Sequence, residues 1–438
     1  MAEIRPFRGL IYNEKRAGAI EKLVAPPYDV VTRKERDSFV EASPYNIFSL
    51  ELPDGSECEK GVDIYECSRR LLDRWKQDRV LEFDPNPSLY PYELEFRLPE
   101  GDSARKYVRK GVIAAVRIED WDERVVLPHE KTFDKVTDDR LKLLEATETQ
   151  FSPIFMLYRH NDAANRIFSF AQKEKLFSTS DAMGNRHTLY RVDDQEVVAG
   201  FCAAFSQSPL YIADGHHRYT TALRFRREME KRQGTVAPDR YAYVMTYLAD
   251  VEDSGMVVLP THRILSAGQV DVDACRQAVN SAFEVDVVNT EGMSPVDVVE
   301  KLRMMLVDST GRTAVGCIYE QGNRAELWTV RPGYEEMLHD YNRKSELASL
   351  DVVILNDVVF RQLGIDAHAL EAGRDIRYEA EAVKAVAGLG AGEVMFMMRS
   401  SPAEEVLDVA DAGLVMPHKS TFFYPKIMSG LVLNDMRC

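Results

Sequence analysis

Leu210-Tyr211-Ile212-Ala213-Asp214-Gly215-His216-His217-Arg218-Tyr219-Thr220-Thr221-Ala222-Leu223 is the stretch whose reading decides the fold. Tyr211-Ile212-Ala213 reads as the end of a buried strand and Asp214-Gly215 as a turn. The spacing of Ala222, Leu223 and Phe225 reads as a helix that opens at His216. An acid, a glycine, two imidazoles and a guanidinium thus meet where strand becomes helix. A first helical turn has N–H groups without intrahelical partners and the positive end of the dipole, so it attracts anions, phosphate above all. Gly215 lets the backbone approach a ligand closely. Arg218 can fork onto phosphate oxygens. Asp214 can hold Mg²⁺ or take a proton from a hydroxyl. The plainer alternative is an Asp214 N-cap followed by two surface histidines; the five residues together favour a phosphate or nucleotide site.

Working outward, Leu127-Pro128-His129-Glu130-Lys131-Thr132 follows a strand and sets an imidazole, a carboxylate, an ammonium and a hydroxyl side by side. These suit a general base, Glu130, beside a phosphate-binding Lys131 and Thr132; a charged surface turn is the alternative. His262-Arg263 is expected to end a strand after Pro260, with Arg263 suited to a carboxylate or phosphate. A buried histidine at a sheet edge is the competing reading. Gly413 followed by His418-Lys419-Ser420 nearly matches a phosphate-cradling loop but has histidine at the second glycine and a helix before it, so that reading is rejected. Lys419, Ser420 and Thr421 stay candidates for an anion or substrate site. Gly388-Leu389-Gly390-Ala391-Gly392 follows a helix instead of a strand and reads as a turn, and Met395–Met398 reads as core. Adjacent His216 and His217 point about 100° apart on a helix, so no structural or catalytic zinc is expected.

Elsewhere, Val24-Ala25-Pro26-Pro27-Tyr28-Asp29-Val30 is an extended turn fixed by two prolines. Residues 61–80 have helical spacing, and Leu89–Leu98 with Tyr107–Ile118 read as a hairpin. Helices are expected near 138–147, 161–173, 194–206 and 349–363, and strands near 152–158, 187–192, 241–248, 256–259 and 394–399. Residues 271–330 read as helix, strand, helix, strand. The alternation argues a mixed α/β or α+β architecture.

At 438 residues the chain can hold two or three cores, and its 45% hydrophobic and 29% charged content is that of a globular protein. A formal charge of −16 argues against nucleic acid as the main partner. Six cysteines with no Cys-x-x-Cys spacing suggest reduced thiols. The opening MAEIRPFRGL has no apolar signal core, and no apolar run reaches the ~18 residues of a membrane span. A cytoplasmic protein is expected, and a homodimer is left open.

Asp214-Gly215-His216-His217-Arg218 resembles the D-G-[HN]-H-R signature of free L-serine kinases built on the ParB/sulfiredoxin-like fold. With Ala25–Val30, His129–Thr132, Ser152–Phe155, Leu259–Arg263 and Lys419–Thr421, the wider pattern resembles a bacterial and archaeal family catalogued as a domain of unknown function. The resemblance implies a ParB/sulfiredoxin-like nucleotide-binding core at 126–265, an N-terminal α+β region at 1–125, and a C-terminal α/β region at 266–438 that contributes a substrate-side loop. It implies a small-molecule kinase moving phosphate from ATP or ADP to a hydroxylated metabolite, free L-serine first. Asp214 would hold Mg²⁺ and work with His216 and His217, and Gly215 and Arg218 would bind phosphate. Glu130 would act as the base, at a longer spacing than in those kinases, and His262, Arg263, Lys419, Ser420 and Thr421 would meet the substrate. The alternatives are a ParB-like nucleotide-hydrolysing switch and a nucleotide-binding regulatory protein.

Overall fold

The computed structural model describes residues 1–437 except 57, 59, 131–133, 234–238, 267–275, 278, 280, 310, 334–344, 349, 362, 364, 366–375 and 418. The chain has the expected mixed α/β class and divides into two compact units. Unit 1 is Met1–Phe96, Lys106–Met256 and Pro425–Cys438; unit 2 is Arg97–Arg105 and Val257–Tyr424. These boundaries differ from the divisions after 125 and 265 read from the sequence. The chain leaves unit 1 and returns to it twice, which a linear reading of composition does not register.

Unit 1 is built on one large sheet. Its strands are β1 (Ile4–Arg5), β2 (Tyr90–Arg97), β3 (Lys106–Arg117), β4 (Val126–Leu127), β5 (Ile154–Tyr158), β6 (Glu174–Ser180), β7 (Arg186–Arg191), β8 (Leu210–Asp214) and β9 (Tyr243–Asp250). They run in the order β4-β8-β5-β9-β3-β2-β7-β6, with β1 on β3. The central strands read as continuous apolar runs because both faces are covered: every residue of β5 and β9 is buried. Helix α1 (Ile64–Gln77) starts where Asp63 accepts hydrogen bonds from the Tyr65 and Glu66 amides, at 3.0 and 3.2 Å. Helices α2 (Asp134–Thr147) and α3 (His216–Gln233) pack against each other. From α3, Tyr219, Ala222 and Leu223 enter the main core beside Ile212, Met156 and Val244. Burial of each large apolar side chain contributes about 1.5–3 kcal/mol.

Unit 2 holds a six-stranded antiparallel sheet of β10 (His262–Leu265), β11 (Phe283–Val288), β12 (Ala314–Tyr319), β13 (Arg324–Val330), β14 (Ile376–Glu379) and β15 (Val394–Met397). The order is β11-β13-β12-β15-β10-β14. Helices α4 (Pro295–Asp308) and α5 (Ala382–Ala387) supply Val298, Leu302, Ala382 and Val386 to a core with Ile264, Ile318 and Met395. Glu100 caps α5, accepting from the Ala382 and Val383 amides at 2.9 and 2.7 Å.

Several local expectations are corrected. His262-Arg263 opens a strand instead of ending one: Val257–Leu259 pairs with Phe422–Tyr424, and Pro260, lacking an N–H, separates it from β10. The helix expected near 161–173 stops by Ser169, and β6 follows. Polar residues alternate along that strand because one face is exposed, which weakens its apolar signal. The helix expected near 349–363 is present, as a turn of α-helix, Asp351–Ile354, that continues as a π-helical stretch, Leu355–Phe360. Cys58 and Cys67 form a disulfide, against the expectation of reduced thiols. The pairing joins a loop to α1, a spacing that a search for Cys-x-x-Cys cannot find. Among the described residues, no helix is long and apolar enough to cross a membrane.

Candidate functional site

The site grows from the end of β8. Leu210–Ala213 are buried between β4, which runs parallel to β8, and β5, which runs antiparallel to it. The register with β5 shifts between Ile212 and Asp214, so Asp214 comes opposite Phe155. A bulge of this kind re-aims a side chain at a strand end. Gly215 then takes φ +95°, and a Cβ there would lie 2.9 Å from the Arg218 Nε. The glycine is therefore required twice, by its backbone angle and by the guanidinium folded over it.

Both oxygens of Asp214 are ion-paired. Arg218 Nη2 donates to Oδ2 at 2.7 Å, and Lys426 Nζ donates to Oδ1. The three side chains are only 12–16% exposed. Burial alone would raise the Asp214 pKa, but Lys426 and Arg218 hold it well below the usual carboxylate range. Arg218 Nη1 also donates to the Pro153 carbonyl at 2.5 Å. Lys426 reaches the site because the C-terminal segment is tied down. Buried Arg109 donates to the Pro425 carbonyl at 2.6 Å, Ser429 pairs with Ala25, and the Gly430 amide donates to the Phe151 carbonyl at 3.0 Å.

The His129-Glu130 loop joins the same place. Parallel pairing of Val126 with Leu210 and Leu127 with Tyr211 carries it alongside the start of α3. The His129 amide donates to His216 Nε2 at 3.2 Å, and His129 Nδ1 donates to the Ile212 carbonyl at 2.8 Å. The two rings meet edge to face at 4.6 Å. Both imidazoles are buried, and burial lowers the pKa of His129 to about 4 and holds that of His216 well below the ordinary imidazole value. They are therefore neutral at pH 7, and His216 carries its proton on Nδ1. Glu130 is half-buried, as is His217, whose carbonyl accepts from Thr221 Oγ1 at 2.8 Å. Lys131 and Thr132 lie outside the described residues.

Sequence reasoning missed three further members. Glu51, Arg140 and Tyr28 line a cavity of about 70 Å³ with Ser152, Arg218 and Thr221. That is room for a few waters or a group of similar size, since one water needs about 10–15 Å³. Glu51 is 3% exposed; its Oε1 accepts from Ser152 Oγ at 2.6 Å, while its Oε2 has no hydrogen-bond partner among the described residues. Arg140 donates to the Glu51 carbonyl at 2.7 Å and lies over the Tyr28 ring. Their only sequence signal is the prolines beside Tyr28 and Ser152; Lys426 has a similar one in Pro425.

The Mg²⁺ role expected of Asp214 does not fit this arrangement. Each of its oxygens already accepts from a cation, so a divalent ion on the remaining lone pairs would face the positive charge of both Arg218 and Lys426. Among the described residues, no group of three or more His, Cys, Asp or Glu is placed to hold a metal ion. His262, Arg263, Lys419, Ser420 and Thr421 belong to unit 2. There buried His262 accepts from the Met398 amide at 3.1 Å, and Arg263 donates to the Lys419 carbonyl at 3.1 Å. Lys419 itself is exposed, and His418 lies outside the described residues.

Fold and site define a mixed α/β protein with a buried, ion-paired acid at a β-to-α turn. The chain belongs to the DUF1015 family, described as a protein of unknown function, whose model matches residues 4–353. Among solved structures it is similar to a free serine kinase in complex with AMP, at 13% identity and TM-score 0.34, over 73% of this chain and 92% of that one. It is also similar to a conserved hypothetical protein from Pyrococcus furiosus, at 14% identity and TM-score 0.33, over 72% and 92%. A third is C-terminally truncated SbnI from Staphylococcus aureus, at 10% identity and TM-score 0.33, over 72% and 84%. Comparison with curated proteins gives no match.

Proposed function

We propose that unit 1 carries a phosphotransferase site that moves a phosphoryl group from ATP or ADP to a small hydroxylated metabolite, free L-serine being the first candidate. The observation that carries this reading is the Asp214-to-Arg218 turn, with a second cation, Lys426, on the same buried carboxylate. One carboxylate against two cations leaves a net positive charge beside the positive end of the α3 dipole, and phosphate oxygens need such a place. Phosphoryl transfer asks the protein mainly for positioning and charge neutralisation. In this reading Arg218 and Lys426 hold phosphate oxygens, and Asp214 is a positioning residue that fixes both cations. His216, neutral and held by the His129 amide, offers its Nδ1–H as a donor without adding charge.

Two carboxylates are candidates for taking the hydroxyl proton: Glu130, beside His129, and Glu51, in the cavity that Arg218 also lines. The buried Glu51 Oε2, without a partner among the described residues, is an acceptor left open for a ligand. The test incubates the full chain with ATP or ADP, Mg²⁺ and a panel of serine, threonine, homoserine and glycerol, and follows phosphorylated product. Formation of O-phosphoserine is expected, with Glu130→Gln or Glu51→Gln losing turnover while nucleotide binding persists. No nucleotide binding at millimolar concentration, or turnover indifferent to both substitutions and to Arg218→Lys, overturns the reading.

A further inference from the structure

Unit 2 contains a cavity of about 600 Å³, lined by unit 2 residues that include Thr261, Arg263, Arg312, Asp351, Arg399 and Ser420. Its volume falls within the range of small-molecule sites, about 300–1,000 Å³. Most of its charges are already matched. Arg399 grips Asp351 through two bonds of 2.6 Å, and Arg312 reaches Glu284 at 2.9 Å. Glu405, also on the wall, is exposed.

Arg263 is different. It is 2% exposed and has no carboxylate partner among the described residues. Its guanidinium donates to two carbonyls, Thr261 at 2.5 Å and Lys419 at 3.1 Å, and lies over the Tyr378 ring. Carbonyl dipoles offset part of the cost of burying a cation, but they do not neutralise it. Beside it, Thr261 Oγ1 is buried with no hydrogen-bond partner among the described residues. A buried hydroxyl is normally satisfied, so an orphan one on a residue that lines a cavity calls for an explanation. One event resolves both defects, which is the arrival of an anion.

We propose that this cavity binds a small organic anion, whose carboxylate or phosphoryl group is taken by the Arg263 guanidinium and Thr261 Oγ1. Ser420, whose hydroxyl donates to the Pro417 carbonyl at 2.5 Å, lines the same wall. Burial also draws the Arg263 pKa down to about 10, the direction expected of a guanidinium without its anion. The site stands independently of the phosphotransferase reading, which rests on residues of unit 1.

The experiment titrates the full chain with inorganic phosphate and, separately, with succinate at constant ionic strength, by calorimetry and thermal shift. It is run on wild type, Thr261→Val and Arg263→Met. Millimolar binding of at least one probe is expected, and the tighter probe identifies the phosphoryl or carboxylate preference. Arg263→Met should weaken that binding at least about tenfold, and Thr261→Val about fivefold. Because Thr261 Oγ1 makes no bond among the described residues, Thr261→Val should fold with an unchanged or raised melting temperature in the absence of anion. It therefore decides the matter even if Arg263→Met does not fold. Absence of binding for both probes at tens of millimolar, or binding that Thr261→Val leaves within twofold of wild type, overturns the proposal.

Discussion

Asp214→Asn preserves the shape of the side chain and removes one buried negative charge. It leaves Arg218 and Lys426 facing a neutral amide inside unit 1. Removing one partner of a buried ion pair costs about 3–5 kcal/mol, because the other charge is stranded. Here two cations are stranded, which pushes the cost up, while 12–16% exposure of the three side chains admits some water, which pulls it down. We expect about 3 kcal/mol. The folded pKa of Asp214 lies well below the ordinary carboxylate value, because Lys426 and Arg218 outweigh burial. The difference between wild type and variant should therefore be fully present above the unfolded pKa of about 3.9 and shrink only as pH falls further, toward the folded pKa.

The assay is urea unfolding followed by tryptophan fluorescence in a Trp328→Phe background, where the remaining Trp75 and Trp121 both report unit 1. Adding Lys426→Met to Asp214→Asn removes one stranded cation and should restore at least about 1 kcal/mol, a coupling that a double-mutant cycle measures directly. If Asp214→Asn unfolds within about 0.5 kcal/mol of wild type, the carboxylate is not neutralising two buried cations. Equal cost of Lys426→Met in both backgrounds would sink the argument as well.

Gly215→Ala must accept φ +95° and place its Cβ against Arg218, so it should cost about 1–3 kcal/mol from backbone strain and also move the guanidinium; an unchanged urea midpoint would contradict this. His129 protonates near 6.5 when unfolded and at about 4 when folded, so unit 1 should lose about 3 kcal/mol as pH falls through that window, and nothing more from this residue below it. His129→Gln should flatten the stability–pH slope there by up to one proton, even though His216 titrates in the same direction. Peptide mapping without reductant should recover a Cys58–Cys67 linked peptide, and reduction should lower the stability of unit 1 by about 2–3 kcal/mol; two free thiols at these positions in protein purified without reductant would refute the pairing.

What was legible in the sequence is what neighbours in sequence decide. The turn at Asp214-Gly215 is local: an apolar run ends, a glycine takes a left-handed angle, and helical spacing begins. The His129 loop was legible as polar chemistry after a strand, and parallel pairing of β4 with β8 then carries it to His216. Beyond an adjacent proline, nothing local marks Lys426, 212 residues from Asp214, or the contact between Ser152 and Glu51 across 101 residues. Both depend on the C-terminal segment and the Pro26-Pro27 turn running side by side, which the Ser429–Ala25 bridge records.

The role read for Asp214 changed for the same reason. Taken alone, the five-residue motif sets one carboxylate against one guanidinium, so these two charges cancel, and its acid looks available to a metal. Lys426 adds a second cation to that acid. The carboxylate becomes the anchor of two positive groups, and the cluster of these three side chains acquires the sign that a phosphate requires. A motif's residue types therefore limit its chemistry, while the sign of its charge is set by a partner that only the fold supplies.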